Sequence, residues 1–251
     1  MINEIFAFGH STIHRLDPRL RIVVATAFSI VVAVAHQIPV LVCALGISLG
    51  LAVLARLDPI AVGKRLAAVS GFLLLLWAVL PLTYEGTTVF SIGPLAASRE
   101  GVRLALEISV KSVAIVLAFL VLIATMTFST LGNALKKLGM PDKLAFLLLM
   151  AYRYIFVIGQ EYHRLHRAAL IRGFRPRTNL HTYRTYAYLV GMLFVRAADR
   201  AERVHRAMRC RGFAGTFHSL YTFPENPTNR IFAVAMGAVV ALLIGLECLL
   251  P

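Results

Sequence analysis

The sequence predicts an all-α integral membrane protein with about five transmembrane helices and further long, basic helices on the cytoplasmic side. Three observations lead there. Hydrophobic residues make up 59% of the 251 and mean hydropathy is +0.76, well above what a water-soluble domain carries. The apolar residues gather into runs close to the length that crosses a bilayer. The excess of 26 Lys and Arg over 12 Asp and Glu is concentrated, because residues 136–230 hold 17 basic and 5 acidic residues, about +12 of the net +14.

The first 21 residues are mixed and the first apolar run begins at Ile22, so a permanent span rather than a cleaved leader is expected there. Ile22–Ala35 and Val40–Ala55 are parted by His36, Gln37, Ile38 and Pro39, with Pro placed to open a new helix. They predict a transmembrane hairpin whose arms fall short of the roughly 20 residues a bilayer requires. A third span covers Leu66–Thr83, and the segment YEGTTVFSIGPLAASREG after it, rich in Gly, Pro and Ser, predicts an external loop. Residues 106–127 form a fourth span. Within it Lys111 follows Glu107 by four positions, the order that favours pairing on a helix, and the pair is expected at the span's wet end.

Two long helical patterns follow, from Pro141 to about Gly173 and from Thr182 to about Gly212. Their first halves, LAFLLLMAYRYIFVIG and YAYLVGMLFV, are apolar enough to touch either lipid or other helices, and both placements fit the pattern. Ile231–Leu250 is the last span. The expected organisation is therefore residues 1–127 as N-terminal transmembrane helices, 128–228 as a basic cytoplasmic domain, and 229–251 as a C-terminal transmembrane helix. Positive charge collects on cytoplasmic segments, which places the basic stretch, the Arg56, Lys64 and Arg65 loop, and the N-terminus with Arg15, Arg19 and Arg21 inside. The loop at 84–105 is then outside, and so is the C-terminus.

The basic stretch says one phrase twice, HRAALIRGF at 166–174 and HRAMRCRGF at 205–213. On a helix Leu165, Ala168, Ala169 and Arg172 fall at i, i+3, i+4 and i+7, one stripe along one face, and Val204, Ala207, Met208 and Arg211 repeat the spacing. Each copy ends in Arg-Gly-Phe, where Gly can take the left-handed conformation that closes a last turn. The bland reading is that both arginines decorate helix ends, and anionic lipid would attract the remaining ones. Neither accounts for the matched endings. Two small, apolar faces, each finished by a guanidinium able to fork onto a carboxylate, suit docking onto two equivalent cytoplasmic partners.

HRLDPRLRI at 14–22 and the tandem basic helices ending IRGF and CRGF resemble the T component of energy-coupling factor transporters, of the CbiQ type concerned with cobalt transport. The resemblance covers nearly the whole chain, and the duplicated Arg-Gly ending is its specific part. It implies a membrane body with long coupling helices, each ending in a motif centred on Arg, here Ile171, Arg172, Gly173 and Cys210, Arg211, Gly212. Such motifs enter grooves on a pair of ABC-type ATPases, which use ATP and Mg, while the membrane face holds a substrate-capture subunit that carries the metal. The resemblance implies no cofactor and no catalysis in this chain. The expected cargo is cobalt, with nickel or a vitamin as the alternative, since selectivity lies in the capture subunit.

Other chemistry finds little support. Gly63-Lys64-Arg65 lacks the upstream Gly and the terminal hydroxyl of a phosphate-binding loop. His10 with His14, and His163 with His166, lack further donors for a metal. Asp58, Glu85 and Glu107 are scattered, and Asp199 with Glu202 sits among arginines that invite internal ion pairs. Cys43, Cys210 and Cys248 stand far apart and are expected as reduced, buried thiols. The pI near 10.4 would suit nucleic acid, but the basic surface carries no recognised binding module. A membrane-embedded enzyme acting on phosphorylated lipids is the rival class; it calls for a carboxylate, histidine or metal motif at membrane depth.

Overall fold

The computed structural model describes residues 11, 13–84, 88–92, 95–215 and 227–249. They form eight α-helices, a short 3₁₀ turn at Ile13–Arg15 and one β-hairpin. The chain divides into two compact units, residues 3–131 with 222–251, and residues 132–221.

In the first unit, α1 (Pro18–Val34), α2 (Ile38–Leu54), α3 (Pro59–Thr83), α4 (Arg99–Leu122) and α8 (Pro227–Leu249) make a helical bundle. α4 is its centre and packs against α1, α2 and α3, while α8 lies on α1 and α2. The RLDP phrase that opens α1 recurs before α3, and its chemistry is the same at both places. The Asp17 carboxylate accepts from the Arg19 N–H at 2.9 Å and Asp58 accepts from the Ile60 N–H at 3.2 Å. The proline after each stands where a missing N–H costs nothing. Phe28, Val32, Val40, Leu41, Val121 and Leu243 are sealed in the core. The outer faces are apolar and open, as Phe72, Leu74 and Leu75 on α3 show, which suits a surface bathed in lipid tails rather than water.

α3, α4, α6 (Asp142–Ile171) and α8 are long and apolar enough to cross a membrane. α1 and α2 have 17 residues each, which at 1.5 Å per residue reach about 26 Å against a core of roughly 30 Å. The two expected short helices are therefore present, each packed on α4 and α8 rather than chiefly on each other, and α6 adds a helix of spanning length that the sequence pattern placed in the basic domain. The expected external loop contains order: β1 (Thr88–Ile92) and β2 (Leu95–Ser98) pair antiparallel before α4 starts. Ser98 caps α4 by accepting from the Gly101 N–H at 3.0 Å. A Cβ at Gly101 would meet the Leu80 carbonyl at 2.6 Å, so only glycine lets α4 come this close to the end of α3.

One charged position differs from expectation. Arg21, read as part of an inside-facing positive cluster, is only 2% exposed. Its Nε–H donates to the Leu122 carbonyl at 3.0 Å and its Nη2 to the Thr125 hydroxyl, which itself donates to the Val121 carbonyl at 2.6 Å. A guanidinium here serves the unpaired carbonyl end of α4, where positive charge is favoured. The expected Glu107–Lys111 pair forms at 2.7 Å, beside the exposed His36. His36 Nδ1 also meets Glu107 at 3.0 Å, and Lys111 donates to the Ala33 carbonyl at 3.3 Å, so the pair joins α4 to the α1–α2 turn.

In the second unit α5 (Phe128–Lys137), begun in the first, leads into α6 and α7 (Leu180–Cys210). These two form an antiparallel hairpin. Phe146 lies 5.6 Å from Phe213, Glu161 pairs with Arg196, and His166 stacks on Tyr186 at 6.2 Å. The turn is built by Phe174, only 8% exposed, which packs edge-on against Tyr186 at 5.6 Å. Asn179 then caps α7 by accepting from the Thr182 N–H at 2.9 Å.

Candidate functional site

The repeated Arg-Gly-Phe endings fold alike, residue for residue. Gly173 (φ +85°) and Gly212 (φ +79°) take the left-handed conformation. The Gly173 N–H donates to the Leu170 carbonyl at 3.0 Å and the Phe174 N–H to Ala169 at 3.1 Å; Gly212 donates to Arg209 at 3.0 Å and Phe213 to Met208 at 3.1 Å. This double bonding is the Schellman closure of a helix end. It puts Arg172 and Arg211 on the capping residue itself, with φ −80° and −94°. Each phenylalanine is the hydrophobic partner that folds back, Phe174 onto the turn and Phe213 onto Phe146.

Arg172 and Arg211 are both exposed, and neither makes a side-chain hydrogen bond or ion pair with any described residue. Ile171 beside Arg172 is 87% exposed, an unusual cost for a branched apolar side chain in water, and Cys210 is exposed as well. Because α7 starts at the turn beside Arg172 and ends at Arg211, the two arginines stand at opposite ends of the hairpin, about a 31-residue helix apart, roughly 45 Å.

The supporting stripes are placed less evenly than their spacing. Val204 and Met208 line an apolar groove between α6 and α7. Ala168 and Ile171 instead border a basic surface with His163, Arg164 and Arg167. Leu165 and Ala169 are half-buried and Ala207 is exposed. The groove, the cap of α5 and the burial of Arg21 were not read from the sequence. For α5 the signal exists, since KKLGM repeats the basic-residue-then-glycine pattern and Gly139 (φ +106°) closes it in the same way, with Met140 N–H donating to Leu135 at 3.1 Å.

Of the weighed alternatives, Glu202 pairs with Arg206 as expected of an internal ion pair. His163 and His166 flank the Tyr162 ring instead of facing each other across a shared ligand. Among the described residues no group of three His, Cys, Asp or Glu converges; His10 and Glu85 lie outside them. The three cysteines are exposed rather than buried. Cys43 and Cys248 lie on bundle helices, where a lipid-facing thiol is as well solvated as a core one.

A bundle of lipid-facing helices joined to a basic helical hairpin is the architecture of a multi-pass membrane protein. Residues 9–222 match the family described as cobalt transport protein, CbiQ, and the chain belongs to that family, the transmembrane T component of energy-coupling factor transporters. It is 28% identical over 226 residues to the energy-coupling factor transporter transmembrane protein EcfT of Bacillus subtilis, covering 86% of this chain and 85% of that one. It is 26% identical over 253 residues to a putative ABC transporter ATP-binding protein of Bifidobacterium longum, covering 95% of this chain and 32% of that protein. A putative fused cobalt transport protein, CbiMQ, of Methanocorpusculum labreanum is 30% identical over 127 residues, 49% of this chain and 20% of that one.

Proposed function

We propose that this chain is the non-catalytic coupling subunit of an ATP-driven importer for cobalt ions. Arg172 and Arg211, with Ile171, Gly173, Cys210 and Gly212, each anchor one ABC-type ATPase, and those partners bind and hydrolyse ATP with Mg. The apolar helix faces hold a membrane subunit that captures the ion. The chain lies in the bacterial cytoplasmic membrane with its N-terminus and the 132–221 unit inside.

One observation carries this reading: two closed helix ends present exposed arginines, unpaired among the described residues, at opposite ends of one hairpin. A guanidinium whose backbone is already fixed has only its side-chain freedom left to lose on docking. The Bifidobacterium relative gives support, because a protein named for ATP binding contains a stretch like this whole chain. The fused CbiMQ relative supports cobalt as the cargo.

The test is Arg172→Ala with Arg211→Ala, followed by co-purification of the ATPases from native membranes. Truncating one partner of a buried, hydrogen-bonded charge pair costs roughly 2–5 kcal/mol, about 30-fold to several thousand-fold in affinity. Loss of both ATPases with the membrane body intact is the expected result; retention of both and full uptake would sink the docking role.

A further inference from the structure

Arg21 is the largest of the fully buried side chains described, and no described carboxylate pairs with it. For packing alone this is a poor choice, since buried ionic groups can often be replaced by apolar side chains of similar volume without loss of stability. What an apolar residue cannot do is fix a direction. The guanidinium donates at once to the carbonyl of Leu122, the last residue of α4, and to the Thr125 hydroxyl beyond it, two bonds oriented by one planar group.

The segment it grips is short and otherwise tied. Residues 123–127 join α4 to α5. The Ile123 and Ala124 N–H groups both donate to the Phe119 carbonyl, at 2.9 and 3.0 Å, Met126 donates to Ile123 at 3.0 Å, and the Thr125 hydroxyl donates to Val121 at 2.6 Å. The Thr127 hydroxyl then starts α5 by accepting from the Thr130 N–H at 3.3 Å. From there α5 carries the chain out of the first unit, the division falling after residue 131. Beyond the division it is held to α6: a Cβ on Gly132 would come within 2.6 Å of the Leu149 side chain, and Lys136 pairs with Asp142 at 2.9 Å. On the other side of the guanidinium α1 is fastened to α8, the Asp17 N–H donating to Asn229 Oδ1 at 3.1 Å. Contacts of this kind, continuous from element to element, are what can carry a displacement, and Arg21 makes the step from the α4–α5 link to α1.

We infer that Arg21 is a positioning residue for transport: by gripping Leu122 and Thr125 it makes a displacement delivered along α5 move α4 and α1 together, instead of being taken up in bending the link. The inference rests on the coupling reading above. A residue needed only for the fold would change how much protein survives, whereas one that stiffens the link sets how much cargo each ATP moves.

The experiment uses the complex purified with its ATPases and sealed into lipid vesicles, with ATP hydrolysis and uptake of cobalt ion measured on the same preparation. Thr125→Val keeps the shape of the side chain and removes the acceptor, Thr125→Ser keeps the hydroxyl, and Arg21→Lys keeps the charge without the fork. Thr125→Val and Arg21→Lys are each expected to hydrolyse ATP near the wild-type rate while moving about fivefold less cobalt per ATP, and Thr125→Ser to hold the wild-type ratio. Because uptake is read per ATP, a variant that folds poorly and yields less complex does not mimic the effect. An unchanged ratio in both Thr125→Val and Arg21→Lys, hydrolysis and uptake falling in step, or a serine variant no better than valine would each overturn the assignment. A wild-type complex that imports no cobalt on ATP would overturn the coupling reading and this inference with it, a result distinct from an unchanged ratio.

Discussion

Arg56 and Gly173 occupy the same position in the same kind of helix ending, with φ of 50° and 85°. α2 closes through Arg56 N–H to Val53 at 3.0 Å and Leu57 N–H to Ala52 at 3.5 Å, so an L-residue with a long side chain is held where glycine is normally found. The left-handed conformation costs such a residue roughly 1–2 kcal/mol, and a Cβ at Gly173 or Gly212 would touch nothing, so the dihedral alone should set the effect there. Gly173→Ala and Gly212→Ala are each expected to lower stability by about 1 kcal/mol, and Arg56→Gly to raise it by about 0.5–1 kcal/mol, as read by thermal unfolding in detergent. Opposite signs from substitutions at one backbone position would establish that the glycines serve the caps. The glycines were legible because Arg-Gly-Phe appears twice, but Arg56 was not, since nothing in ARLDP marks a left-handed residue.

The long helices of the second unit were readable to within a residue or two because their punctuation is chemical: Pro141 opens one, and Gly173 and Gly212 close both. How elements pair was not readable, which is why the groove escaped notice. A period of 3.6 says which residues share a face but not which face meets which helix. Arg21 shows the same gap. An arginine in a basic cluster before an apolar run reads as a positive-inside signal, yet only the approach of α4 to α1 turns it into a clamp on Leu122 and Thr125. Arg21→Ala is expected to destabilise the bundle by at least about 2 kcal/mol, since hydrogen bonds to charged groups contribute about 1.5–3 kcal/mol each. Arg21→Lys should recover only part of this, because one ammonium cannot reproduce the forked geometry. The midpoint of thermal aggregation in detergent would report both; a lysine variant equal to wild type would reduce Arg21 to a mere charge.

For the whole molecule, the membrane character was legible in bulk composition, while the division at residues 131 and 132 falls inside α5 and has no turn signal to announce it. The two arginine ends differ in their surroundings, one beside exposed Ile171 and a basic surface, the other beside the groove, so under the proposed docking they would be inequivalent seats. If docking alone mattered, slack within α6 would be harmless. Inserting two glycines after Gly159, in mid-α6 and away from the closure that holds Arg172, is expected to leave ATPase co-purification largely intact and abolish ATP-driven uptake in vesicles; undiminished uptake would show that the helix transmits nothing. The reason lies in the closed ends. An ordinary helix terminus frays and behaves as a soft spring in series with the shaft, absorbing a displacement before it travels. With the last carbonyls of α6 and α7 tied back across a left-handed glycine, that compliance is reduced at both ends of the hairpin.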